Sequence, residues 1–100
     1  LLATATFTGE TASGWQQVLF SSSVPITANT VYVASYHTLN GHNSFNSNFF
    51  TTTGVDSPPL HALANGVAGG NGVYAYGATS VFPTGTYNAT NYWVDVVFQP

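Results

Sequence analysis

The sequence predicts an all-β fold, an antiparallel β-sandwich (jelly-roll or Ig-like) with one long structured loop insertion. Three observations predict it. Short apolar runs alternate with period two and are punctuated by Gly, Pro and Asn turn signals. No segment carries the 3.6-residue period of a helix. The chain is 44% hydrophobic and 15% aromatic, enough for a core and unlike a disordered chain. Its 100 residues suit one domain at the small end of the range.

Each element follows from its residues. Leu2, Thr4 and Thr6 alternate with Ala3, Ala5 and Phe7, so the chain opens inside a strand. Trp15 to Phe20 reads as a second strand whose set Gln16, Val18 and Phe20 faces the core. Ser21 to Ser23 ends it, and Pro25 marks an edge because it cannot donate to a ladder. Ala28-Asn29-Thr30 is a turn. Val31 to His37 is the clearest central strand, β-branched and aromatic throughout. Asn40-Gly41 is a turn dipeptide, and a strand is expected near Asn48 to Thr52.

Gly54 to Gly72 holds Pro58-Pro59, Asn65-Gly66 and Gly69-Gly70-Asn71-Gly72, and reads as the long loop, with at most a helical turn over Leu60 to Ala64. Loops beyond ~12–15 residues are usually functional or disordered, and Leu60, Leu63 and Val67 argue for order. Val73 to Tyr76 is a strand, Phe82 to Gly85 a turn, and Tyr92 to Phe98 a closing strand with Asp95 embedded in it.

The charge balance excludes whole classes of function. The chain has no Lys or Arg, and only Glu10, Asp56 and Asp95 carry formal charge. Without a cation, phosphate clamps are missing, so no nucleic acid is an expected partner. No run approaches the ~20 apolar residues that span a bilayer, so no membrane insertion is expected. Cysteine is absent, which removes disulfides and Cys-based zinc sites. Methionine is absent too, and the chain is expected to be a processed or excised piece of something longer. No G-x-S-x-G elbow or dinucleotide fingerprint is present. The chain is therefore read as no enzyme, with no cofactor.

Several stretches together resemble a bacterial family. They include Leu1 to Phe7, Gly14 to Val18, Tyr32 to Tyr36, Asn40-Gly41-His42, Gly54-Val55-Asp56, Pro59 to Gly66, Gly69 to Gly77 and Tyr92 to Phe98. The resemblance is to the domain-of-unknown-function family 4082, modules of large secreted or surface proteins. It covers nearly the whole chain. It implies an extracellular or cell-surface location. It also implies that residues 1–100 are a single sandwich domain forming the C-terminal two-thirds of a larger module, whose earlier strands precede Leu1.

Two constellations carry candidate chemistry. Tyr74 and Tyr76 share one face of a strand beside the glycine-rich run, with His42 and Asn43 as polar neighbours. Flat rings and neutral hydrogen-bonding groups suit the C–H faces and hydroxyls of a neutral polysaccharide. His42, Asp56 and His61 make the alternative, a partial metal set; the plainer reading is that they hydrogen-bond loop backbone. The expected function is a non-catalytic extracellular accessory module that binds neutral glycans. The alternative is a structural, self-assembling or display module whose sheet is completed by a neighbouring chain or copy through strand addition.

Overall fold

A computed structural model describes residues 1–100. It is all-β: there is no helix, and the regular structure is four short strands in two antiparallel sheets. Strand β1 (Val55–Ser57) pairs with β2 (Leu60–Ala62), in the register Val55↔Ala62, Asp56↔His61 and Ser57↔Leu60. Strand β3 (Val73–Tyr74) pairs with β4 (Gly85–Thr86), with Val73 opposite Thr86 and Tyr74 opposite Gly85. No helix is long and apolar enough to cross a membrane.

The hairpin β1–β2 corrects the expectation of one uninterrupted loop from Gly54 to Gly72. Leu60–Ala62 is a strand, not a helical turn. Pro58-Pro59, joined by a cis peptide, occupies the two-residue turn and reverses the chain. Only the part from Leu63 to Gly72 behaves as a loop, and it is tied both internally and to Phe50. Asn65 N–H donates to Phe50 O (2.8 Å) and Gly66 N–H to Gly69 O (2.8 Å). Asn71 is the clip. Its Nδ2 donates to Leu63 O, its own N–H to Asn65 Oδ1, and its Oδ1 accepts from Gly72 N–H.

Other expected strands do not form ladders. A strand exists only where a partner closes its hydrogen bonds. Leu2 to Phe7, Trp15 to Phe20 and Val31 to His37 carry no assigned strand. At Gln16 the side chain turns back to Thr11 and Gly14 instead. Gln16 and Val18 are half-buried as the period-two reading requires, but Phe20 is exposed. Ser47 to Phe50 is a turn rather than a strand. Gly85 belongs to β4 rather than to a turn. The closing segment begins with a break, because Trp93 has φ 56°, outside the strand region. Its backbone N–H donates to Asn91 Oδ1 (2.7 Å) and its indole Nε1–H to Asn46 Oδ1 (2.7 Å). Asp95 is exposed and accepts Val96 N–H.

The chain divides into two compact units, Leu1–Thr30 and Val31–Pro100. All four strands lie in the second. Its core is small. Phe50 is 7% exposed, and Ala89 and Thr90 are buried beside it in sequence position 89–90. Segment 46–50 runs against 88–91, with Asn46 and Asn91 exchanging backbone hydrogen bonds and Phe50 N–H donating to Ala89 O. Phe49 packs edge-on to Phe50 (4.9 Å) and Trp93 (5.5 Å), the geometry aromatic pairs prefer. Thr90 is 1% exposed, and its hydroxyl donates to Tyr87 O (2.6 Å), so the buried oxygen is satisfied.

Candidate functional site

Four of the six tyrosines line one basin of about 210 Å³: Tyr74, Tyr76, Tyr87 and Tyr92. Each is delivered by a local feature. Tyr74 ends β3, and its ring crosses the partner strand at Gly85. A Cβ there would sit 3.1 Å from the ring, so the glycine makes room for it. Tyr76 follows two residues on, and the two rings meet at 5.5 Å with 66° between their planes. His37 Nε2 lies 2.9 Å from Gly77 O; a carbonyl only accepts, so Nε2 carries the hydrogen and anchors the chain just past Tyr76.

Tyr87 and Tyr92 flank the turn at Asn88 and Ala89. Both turn residues are left-handed, with φ 51° and 43°. Asn tolerates that conformation, whereas Ala pays of order 1–3 kcal/mol for such strain. The strained residues are held from outside: Asn88 O and Ala89 O accept from Asn48 N–H (2.7 Å) and Phe50 N–H (3.0 Å). Tyr92 is fixed by its backbone, whose carbonyl accepts the Tyr36 hydroxyl at 2.9 Å.

The basin is electrically neutral at its walls. Burial pushes the Tyr92 phenol above its ordinary value, and the nearby Tyr74 and Tyr76 phenols push the same way against a hydrogen bond with Thr90. Burial and then Tyr92 raise Tyr36 likewise. Both remain neutral hydroxyls at physiological pH. The arrangement therefore offers ring faces for C–H contact and neutral hydroxyls for orientation.

The structure joins Tyr74 and Tyr76 but does not place His42 or Asn43 in the lining. Those two lie in an exposed stretch. The sequence offers Tyr87 and Tyr92 only as two of several aromatics set among Asn and Thr, not as partners of Tyr74 and Tyr76. No local signal marks them, since their place depends on the β3–β4 pairing and on the 88–89 turn. Asp56 and His61 do meet, as cross-strand partners of the β1–β2 hairpin, with His61 Nδ1 2.8 Å from Asp56 Oδ1. The side chains are 54% and 74% exposed. A contact so exposed is screened by water and contributes little to stability. No group of three His, Cys, Asp or Glu side chains is gathered to hold a metal, so His42 does not complete the set. A larger hollow of about 360 Å³ lies within the first unit, between Leu2–Thr4 and Phe20–Pro25, and holds no titratable side chain.

The model of one protein family, "Domain of unknown function (DUF4082)", matches residues 1–94. The chain belongs to that family. The match takes in all four tyrosines of the basin and both hairpins, so the DUF4082 assignment spans the whole candidate site. No curated protein and no solved structure matches the chain.

Proposed function

We propose that this DUF4082 chain is a non-catalytic extracellular accessory module, secreted or on a bacterial cell surface, that binds neutral glycans. The observation that carries the reading is the basin walled by four tyrosines and by no ionised side chain. Sugar rings present apolar C–H faces ringed by hydroxyls. Tyrosine matches both, with a flat apolar body and a polar tip. Ligand pockets of drug size run to ~300–1,000 Å³; a basin of about 210 Å³ suits one ring of a longer chain. The absence of Lys and Arg favours neutral over acidic sugars, since the chain has no guanidinium or ammonium side chain to clamp a carboxylate. The expected architecture is an antiparallel sandwich, supported by the period-two segments and the antiparallel hairpins.

The test is a screen on a neutral-glycan array, followed by titration of the hit against Tyr76→Ala. Tyr76 is 93% exposed, so its removal spares the fold. Loss of one stacked ring is expected to weaken binding by roughly ten-fold, at about 0.5–1.5 kcal/mol for an aromatic contact plus its buried area. Unchanged affinity in the variant, or no hit on the array, would refute the site.

A second reading is favoured by a separate observation. The chain exposes 8119 Å², whereas folded monomers of its mass expose roughly 5,400 Å². Obligate interfaces bury about 2,000–5,000 Å² or more summed over both partners, so an excess of roughly 2,700 Å² on one chain matches one partner's share of a large one. Much of it lies on strand-like segments, including Val31 to Val33 and Val96 to Phe98. Strand addition from a neighbouring chain or copy would cover such segments and supply their missing ladders. In that reading the module is structural, and the near-neutral surface lets copies approach without repulsion.

A further inference from the structure

We propose that the basin of Tyr74, Tyr76, Tyr87 and Tyr92 is an aromatic cage for a quaternary ammonium group of the choline type. This goes beyond the glycan reading and does not rest on it.

A cation over a ring face is attracted by the negative quadrupole, within about 6 Å of the centroid, and more strongly as the site dries. Binding by several rings at once requires walls that meet at an angle, so that their faces converge. Tyr74 and Tyr76 meet edge to face, with centroids 5.5 Å apart and planes at 66°, so they form inclined walls rather than a stack. Tyr87 and Tyr92 supply the remaining lining. At about 210 Å³ the space takes one compact group.

The chemistry of the lining then selects the kind of cation. A metal ion or a primary ammonium gives up tightly held water on entering, and needs carboxylates or several acceptors to replace it. The basin has no carboxylate in its lining. A quaternary ammonium has no N–H to satisfy and sheds its water cheaply, so ring faces suffice. Elsewhere the chain adds two favourable conditions. It has no Lys or Arg to occupy the cage from within or repel a cation, and its formal net charge is −3. The ligand's anionic part, if it has one, would have to point to solvent, because no cation waits for it.

The test titrates the protein with tetramethylammonium, choline and 3,3-dimethyl-1-butanol, the neutral isostere of choline, at constant ionic strength, following tyrosine ring resonances by NMR. A methyl glycoside is the fourth arm. Expected are saturable shifts of the four tyrosines with both cations and at least ten-fold weaker binding of the isostere. Tyr76→Phe keeps the ring face and should keep the affinity. Tyr76→Ala should weaken it by about two- to five-fold, the share of one exposed ring. Equal binding of the isostere, or no saturable shift with the cations, overturns the cage. Glycoside binding without cation binding overturns it while leaving the glycan reading intact; the reverse pattern does the opposite.

Discussion

Gly72 has φ 73°, and a Cβ built on it would come within 2.0 Å of Thr90 O and 2.8 Å of Thr90 N. Two demands meet at this residue. The left-handed backbone favours glycine, and the backbone of the buried Thr90 leaves no space for a side chain. The position matters for the basin because Gly72 leads directly into β3 and hence to Tyr74, while Thr90 sits between Tyr87 and Tyr92. Gly72→Ala is expected to destabilise the protein by roughly 2–4 kcal/mol, combining backbone strain with overpacking. Urea unfolding followed by circular dichroism reads it, and a change under about 0.5 kcal/mol, within the range of a neutral surface substitution, would contradict the close approach. The glycine-rich run was legible in the sequence as a loop. That its last glycine supports the basin was not, because Thr90 is distant in sequence.

At the scale of elements, the hairpin β1–β2 shows why local signals mislead. Pro58-Pro59 and the flanking glycines read as punctuation, so the segment looks like continuous loop. In the fold the two prolines fill only the turn, where no ladder N–H is required, and three residue pairs close on either side. Gly54 sets the approach to β1. A Cβ there would meet Ala62 O at 2.1 Å, and that oxygen is part of the partner backbone and cannot step aside. Gly54→Ala should therefore open the Val55–Ala62 end of the hairpin at a cost of about 1–3 kcal/mol. Faster amide exchange across Val55–Ala62 would report it; unaltered protection would show that the hairpin absorbs the change. The pairing of 46–50 with 88–91 is a different lesson. It is built from asparagines, whose β-propensity is low, so no strand signal announces it. Its hydrogen bonds and the Phe49–Phe50–Trp93 cluster nevertheless hold the turn that carries Tyr87 and Tyr92.

For the whole molecule the dominant fact is exposed apolar surface. Val31, Val33, Val96 and Val97 are all exposed on segments of high β-propensity, and Asp95 is the one charge among them. Natural edges carry charges or prolines that block unwanted pairing; these segments mostly do not. Light scattering over a concentration series, with circular dichroism on the same samples, should find folded, concentration-dependent oligomers. Val97→Lys, a substitution at a 63% exposed site, should shift the population toward monomer by placing a charge on the pairing segment. A folded monomer at every concentration would remove the strand-addition reading and leave the glycan and ammonium readings untouched.

The sequence by itself determined the all-β class, the family and a chain without fixed cations. These follow from composition, from period-two alternation and from motifs spread along the chain, none of which needs a contact map. It also placed Tyr74 and Tyr76 on one side, since that depends only on their spacing of two. What the tertiary structure decided is which distant residues join them. Tyr87 and Tyr92 reach the basin through the register of β3 with β4 and through a strained turn held by Asn48 and Phe50, while His42 and Asn43 stay outside it. Such assembly rests on hydrogen bonds between backbones, which every residue type except proline can both donate and accept, and so leaves little trace in the identity of the side chains.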